Sequence, residues 1–427
     1  MKASYSIRWA AEHGLPRLGF LALRGMGDPL ARLLSGDEGH DDPYSLIDQL
    51  RGAGGVQLTP FGYAAFDYEL CREILRDRRF GVRVPIDPAV PFLLRRYAER
   101  VVLPPNPIEA PSMFAQDPPE HGRLRRSVAS AFTPRAVSRL GDRVREVIAE
   151  LLDALAARES VDLIADFAAQ VPIALIAEMM GFPAADRQMF QRWGYAVAPL
   201  LDVGVSWQTH HRAMAATAAM KDYLAAHIEK LRREPGDDIF SLLVSTSDQT
   251  DDELLSSASL LLGAGFINTT NLIGNAVPIL LSHSGQLDLL RLEPERWPLA
   301  IEELLRFDPP IQMTVRRALE PVEFDGGVPL EPGKSILVSL AGANRDPVKF
   351  PDPTRFDVTR PNAGDHLSFG TGIHGCLGAY LARLEALHAL PALFERFPDI
   401  RLDGEPTRRP LSTLHGYSHM PVQLKPR

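Results

Sequence analysis

Hydrophobic positions along this chain recur mostly at helical spacing, with short interruptions by alternating patterns. Residues 42–51, Asp-Pro-Tyr-Ser followed by an amphipathic run, read as a capped helix that Gly52, Gly54 and Gly55 end. Residues 56–66 carry β-branched and aromatic side chains split by Pro60-Phe61-Gly62, a hairpin signal. Residues 68–78 return to helical spacing, with Leu70, Ile74 and Leu75 on one face. Prolines dominate residues 84–113, apart from a short apolar helix candidate over 91–101, and a loop of that length suits a lid or binding segment. Asp117-Pro118-Pro119-Glu120 presets the first turns of another helix. Residues 137–233 then alternate long helical patterns with breaks at Gly181-Phe182-Pro183 and Asp202-Val203-Gly204. The most apolar helix begins at Asp251-Asp252-Glu253, acidic residues well placed for a helix N-terminus. Its residues 260–267 are hydrophobic all round, which means burial on every side. Residues 322–324 and 329–340 read as strands around a turn at Asp325-Gly326-Gly327, and 411–424 as a final hairpin. The expected fold is mainly α with small β-sheets: an N-terminal extension over residues 1–41, partly irregular, and one domain over 42–427.

Composition narrows the picture in three ways. With 45% hydrophobic and 23% charged residues the chain is an ordinary globular one. Its net charge of -8 argues against nucleic acid as a partner. Two cysteines, Cys71 and Cys376, build no disulfide framework, which fits a reducing, cytoplasmic setting. Near the N-terminus the longest apolar run, residues 18–23, is flanked by Arg17 and Arg24. A membrane span needs roughly 20 apolar residues, so no membrane association is expected.

Candidate chemistry concentrates around Cys376. It sits among Gly370, Gly372, Gly375 and Gly378, just before the good helix former Ala379-Tyr380-Leu381-Ala382. Glycines at that density let a flat, bulky group approach the backbone, and a helix N-terminus favours thiolate over thiol. A lone cysteine in such a turn is ordinarily an inert packing residue, as Cys71 is expected to be. The ordered set Phe369-Gly370-x-Gly372-x-His374-x-Cys376-x-Gly378, followed by Leu381-Ala382-x-x-Glu385, is more specific. It resembles the haem-binding signature of cytochrome P450s, in which a cysteine thiolate holds the iron.

The resemblance extends from about Asp42 to the C-terminus and implies the P450 fold for residues 42–427. His121 and Arg125, four apart on one helical face, resemble the pair that binds haem propionates. Arg316 and His374 match further propionate ligands, and Phe369, Gly370, Gly378 and Ala264 match positions lining the haem. Glu303 and Arg306, followed by Phe307-Asp308-Pro309-Pro310, resemble the family's buried ion pair, with Arg355 matching its third member. The central helix departs from the pattern. Ile267 and Asn268 occupy the places of the acid and alcohol that relay protons, and an isoleucine carries none. Thr269 takes the alcohol's place if the helix bulges by one residue.

The resemblance thus implies a haem b monooxygenase inserting one oxygen atom from O2 into a small, largely apolar substrate. It leaves no room for a fused reductase, so electrons are expected from a separate ferredoxin and ferredoxin reductase. Two alternatives stay open: a haem-thiolate enzyme with another reaction (peroxygenation, oxidative coupling or desaturation), and a non-catalytic haem sensor.

Overall fold

The computed structural model describes residues 3–35, 37–52, 54–60, 62–82, 91–98, 100–101, 106–324 and 328–424. Positions 84–90, 99 and 102–105 of the proline-rich stretch 84–113, and the expected turn 325–327, lie outside them. The chain is organised around one helix, Asp251–Ser282. Its start is a capping box: the Thr250 side chain accepts from the Glu253 backbone, and the Glu253 side chain accepts from the Thr250 backbone. At 32 residues it extends roughly 48 Å. Among the described residues it is the one helix long and apolar enough to cross a membrane, yet 72% of its most apolar window is buried in protein.

That helix joins two hydrophobic cores. Leu254, Leu262 and Phe266 pack with Leu124, Ile173 and Phe190 in one. Leu272, Ile273 and Val277 pack with Val144, Phe167 and Leu393 in the other. Each fully buried side chain of this size contributes about 1.5–3 kcal/mol relative to exposure. Close approach also requires glycine: a Cβ on Gly194 would lie 2.4 Å from Phe266 Cζ.

The expected helices appear at Tyr44–Arg51, Tyr68–Arg76, Phe92–Ala98, Glu120–Ala129, Trp297–Phe307 and Ala379–Arg396. Residues Gln57–Thr59 and Gly62–Ala65 form the expected hairpin. They open a five-stranded sheet that continues through Ser335–Ser339, Met313–Ala318 and Phe80–Gly81. Only the Gly62–Ala65 and Ser335–Ser339 pairing is parallel. The N-terminal stretch, expected to be partly irregular, is helical over Ala3–Trp9 and Leu15–Gly25, and Phe20, Leu30 and Leu33 are buried.

The final hairpin over 411–424 is not formed as expected. Tyr417–His419 pairs back with Thr407–Arg408, and Pro421–Gln423 pairs with Ser160–Asp162 and Arg401–Leu402. The strand period is local, but all three partner segments lie outside 411–424, one of them more than 200 residues earlier. The intervening turn leans on the body: Gln312 N–H donates to Thr413 O at 2.9 Å and Leu414 bridges Ile311.

Candidate active site

The Cys376 loop is anchored before it turns. Leu367 N–H donates to Asn344 Oδ1 at 2.7 Å, and the Ser368 hydroxyl donates to Leu305 O at 2.7 Å. Gly370 then takes φ +63° and Gly372 φ +74°, values that only glycine adopts freely. A Cβ on Gly372 would also lie 2.6 Å from Leu75 O. Cys376 N–H donates to Phe369 O at 2.8 Å and closes the loop. Over Gly370 and Gly378 a Cβ would meet nothing within 4 Å, so that side of the loop is an open cradle.

Cys376 is accessible from that cradle. The groups around it act on its pKa in the expected direction, downward, against desolvation. Burial pushes the thiol up, and the Gly378 N–H, Arg125 and Arg383 only oppose it. Desolvation by the surrounding protein exceeds what the helix terminus supplies. Cys71, by contrast, is fully buried, with its Sγ on Ala65 O and Ser339 O.

Four nitrogen-bearing side chains from three segments converge beside the loop. His121 and His374 have ring centroids 4.1 Å apart. Arg125 donates to Gly375 O at 2.7 Å. Arg316 reaches them from the five-stranded sheet, where it is buried and donates only to Thr314 Oγ1 and Val315 O. Their fields act on one another: burial first, then His121, Arg316 and Arg125, pushes His374 down to about 3. Burial lowers Arg316 to about 10, with Asp117 opposing. His374 Nε2 is buried without a partner. Such a cluster, with no salt bridge to a carboxylate among these four side chains, suits a ligand that brings its own negative charge. A thiol in a glycine cradle beside donors for two carboxylates matches the demands of haem.

The central helix presents one face to this region. Leu260, Gly263, Ala264 and Asn268, spaced three and four apart, are more accessible than most of its buried middle, as is Gly265 beside them. Ile267 and Thr269 are buried, so they point elsewhere. The helix is α-helical without a bulge from Asp251 to Ser282. Thr269 is therefore not moved into Asn268's position, because the intact hydrogen-bond ladder keeps it about 100° away around the axis. Asn268 Oδ1 is buried without a partner.

The ion-pair network holds with one correction. Glu303 and Arg306 are both 0% exposed, joined by Nε–Oε2 at 2.6 Å and Nη2–Oε1 at 2.8 Å. Arg306 also donates to Asn344 O and Pro353 O, tying the pair to the loop's anchor. The third member is not Arg355, whose side chain is 66% exposed and faces Asp357 at 3.8 Å. It is Arg360, 8% exposed and 3.2 Å from Glu303 Oε1. Arg355 contributes only its backbone carbonyl, to Arg306 and Arg360. Two turns, closed by Arg355 N–H to Asp352 O and Arg360 N–H to Asp357 O, separate the exposed arginine from the buried one.

Sequence reading does not single out Glu302 or Arg383, and Glu385 only as the last position of the cysteine-loop signature. Glu302 accepts from Arg383 Nε at 2.6 Å and pairs with His366 Nε2 at 3.1 Å. Burial raises its pKa, but Arg383 and His366 outweigh burial and bring it to about 2. Arg383 in turn covers the Phe369 ring at 4.5 Å, linking Glu302 to the cysteine loop. Glu385 is fully buried, and neither carboxylate oxygen has a hydrogen-bond partner. The signal for it was available: an acid inside the apolar pattern of a helix that must pack against the core.

A helical fold around one long helix, with a cysteine loop built to receive haem, defines a haem-thiolate protein. Residues 298–418 match the family model described as Cytochrome P450. The chain is 39% identical to a Mycobacterium tuberculosis protein described as cytochrome P450 140, over 98% of both chains. It is 38% identical to cytochrome P450 monooxygenase PikC of Streptomyces venezuelae, over 90% of this chain and 91% of that one. The ligand-free crystal structure of Mycobacterium smegmatis CYP164A2 superposes with a TM-score of 0.82 at 35% identity, covering 93% of this chain and 99% of that one. The chain belongs to the cytochrome P450 family. It is a haem-thiolate monooxygenase, an oxidoreductase that acts on small molecules with electrons from redox partner proteins.

Proposed function

We propose that Cys376 is the thiolate ligand of a haem b whose carboxylates are held by His121, Arg125, Arg316 and His374. The observation that carries this reading is the accessible thiol in its open glycine cradle, beside four donors with no carboxylate partner among them. When bound, the haem supplies dioxygen activation, and thiolate donation favours O–O cleavage. The chain's own residues do the rest. The Phe369 carbonyl and the Gly378 N–H set the cysteine's direction. Leu260, Gly263 and Ala264 give the opposing face an apolar lining that excludes water and suits a small, largely apolar substrate. Asn268 offers one amide for orienting a polar atom of that substrate or a water. Electrons come from a ferredoxin and its reductase, in the cytoplasm.

The test is the reduced, CO-bound absorption spectrum of the parent and of Cys376→Ala. The thiolate-type band is expected in the parent and absent in the variant; an identical spectrum in both overturns the assignment. A second reading, turnover driven by peroxide, is favoured by the buried, apolar Ile267. Replacing Ile267 with an acid and Asn268 with Thr should then raise product formed per NADPH. Unchanged or poorer coupling would sink the notion of a handicapped relay.

A further inference from the structure

Residues 3–35 have no part in the site as described so far, and the family resemblance begins only at about Asp42. Yet this extension is bonded to three separate segments of the domain. The Arg8 guanidinium uses all three of its nitrogens: it donates to Val101 O at 3.1 Å, pairs with Glu109 at 2.8 Å and is braced at 2.8 Å by Glu12, four residues on. The Trp9 indole N–H donates to Val205 O at 3.0 Å, and Arg17 donates to Gly204 O at 2.9 Å. At the far end of the extension, Leu34 O accepts from the Ser412 hydroxyl at 2.8 Å.

Packing follows the same lines. Trp9 stands edge-on to Trp207 at 5.5 Å, and the His13 ring lies 5.6 Å from that of His210, both partners on the helix Trp207–Arg233. Burial first, then Arg8 and the neighbouring histidines, pushes His13 down to about 3 and His210 to about 4, so this contact holds by packing and not by charge. A Cβ on Gly204, whose φ is +79°, would lie 3.2 Å from the Phe20 ring. The segments so held border the accessible face of the central helix. Met113, Ala198, Leu411 and Leu414 share one core with Leu261 and Phe266, and Leu260 packs against it. The Asp202 carboxylate accepts the N–H groups of Ser412 and Thr413, each at 2.8 Å, joining two of the segments to each other. The extension joins Val101 and Glu109 to Gly204 and Val205, Arg8 holding one side and Trp9, its neighbour, the other.

We propose that the N-terminal extension is a strap across the substrate entrance: it holds these segments against one another and sets how readily a substrate passes between them, with Arg8 as its principal positioning residue. The proposal rests on the haem-thiolate reading of the site, which places substrate beside the accessible face of the central helix. A segment held by few apolar contacts opens locally at low cost, so a charge-assisted clamp there decides how often it opens. Ala11 and Ala98, both buried, add only a small apolar contact between the extension and the helix Phe92–Ala98. Arg8 acts through the segments it holds, not on the reacting atoms.

Two measurements on the haem-loaded full chain test this: hydrogen exchange of backbone amides, and stopped-flow binding of two haem ligands, imidazole and the bulkier phenylimidazole. In Arg8→Ala, exchange over residues 106–112 and 203–210 should rise roughly 10-fold, and the association and dissociation rates of phenylimidazole should both rise by a similar factor. Imidazole, small enough to pass a narrow entrance, should bind at the parental rate. Arg8→Lys should recover part of the effect, and Glu109→Gln should reproduce it. Trp9→Phe keeps a ring but loses the N–H donated to Val205 O, and it carries the test alone if Arg8→Ala fails to take up haem. Arg24, which bonds Ser35 O within the extension, is the control: Arg24→Ala should match the parent. Parental exchange and parental rates in Arg8→Ala and Trp9→Phe overturn the strap. So does faster exchange spread equally over Gly141–Ala156, which would make Arg8 a source of general stability. A parent without the thiolate CO band would instead overturn the haem-thiolate reading while leaving the exchange result standing, so the two failures are distinct.

Discussion

The two sides of the Cys376 loop treat buried polar atoms in opposite ways. On the side of the Glu303–Arg306 pair, each charged group finds partners: Arg306 reaches Glu303 and three backbone carbonyls, and Arg360 and the Asp357 N–H complete Glu303. On the side of the central helix, Asn268 Oδ1, both side-chain polar atoms of Asn271 and both oxygens of Glu385 are buried without a partner. Native structures rarely leave such groups unsatisfied, so each one calls for an explanation. The satisfied side is scaffold. It holds the loop at a defined angle through Asn344 and Ser368. On the reading proposed above, the unsatisfied side is the one that substrate and water reach, and its unpaired groups are free to bond to them.

The contrast can be broken most forcefully at Glu303. Glu303→Ala leaves Arg306 and Arg360 buried without their carboxylate and should cost about 3–5 kcal/mol, with haem incorporation lost. Urea unfolding and haem content measure this; normal holo-protein would show that the network is dispensable. The opposite side should respond in the opposite sense. Glu385 has its pKa raised from 4.5 to about 8, so the folded state keeps a proton that the unfolded chain has released. Stability contributed at low pH is therefore lost as pH rises through that window, by up to ~1.4 kcal/mol per pH unit. In Glu385→Leu this slope should vanish, and an unaltered slope would show that Glu385 is not the titrating group.

Glu302 belongs to the satisfied side and gives a smaller effect in acid. Its folded pKa of about 2 lies below the ordinary 4.5, so its contribution is present above 4.5 and is lost as pH falls towards 2. Arg383→Ala should narrow that window and move the acid-unfolding midpoint upward; a midpoint that stays put breaks the link between Glu302 and the loop. The smallest effect is expected at Arg355. Arg355→Ala should change stability by no more than about 0.5 kcal/mol, because its side chain is exposed. A loss as large as that of Arg360→Ala would reverse the assignment of the third network member.

Much of this was legible in the sequence because the signals are short-range. The capped start of the central helix, the Glu303–Arg306 spacing on one helix face and the glycine pattern around Cys376 depend on neighbours within a turn or two. Local chemistry of that kind determined the helical class, the position of the thiol loop and the identity of the buried ion pair. What lay beyond it required the chain to meet itself. That Arg360 rather than Arg355 turns inward is visible only once the chain has folded around Glu303. The last strands pair with segments far from each other in sequence. Desolvation by the assembled protein opposes the Gly378 N–H, Arg125 and Arg383, which favour the Cys376 thiolate. Glu385 is buried with its pKa raised only because the assembled molecule surrounds it. Burial, and with it desolvation, is a property of the assembled molecule, which is why the tertiary structure alone decided which charges are satisfied and which are left to act.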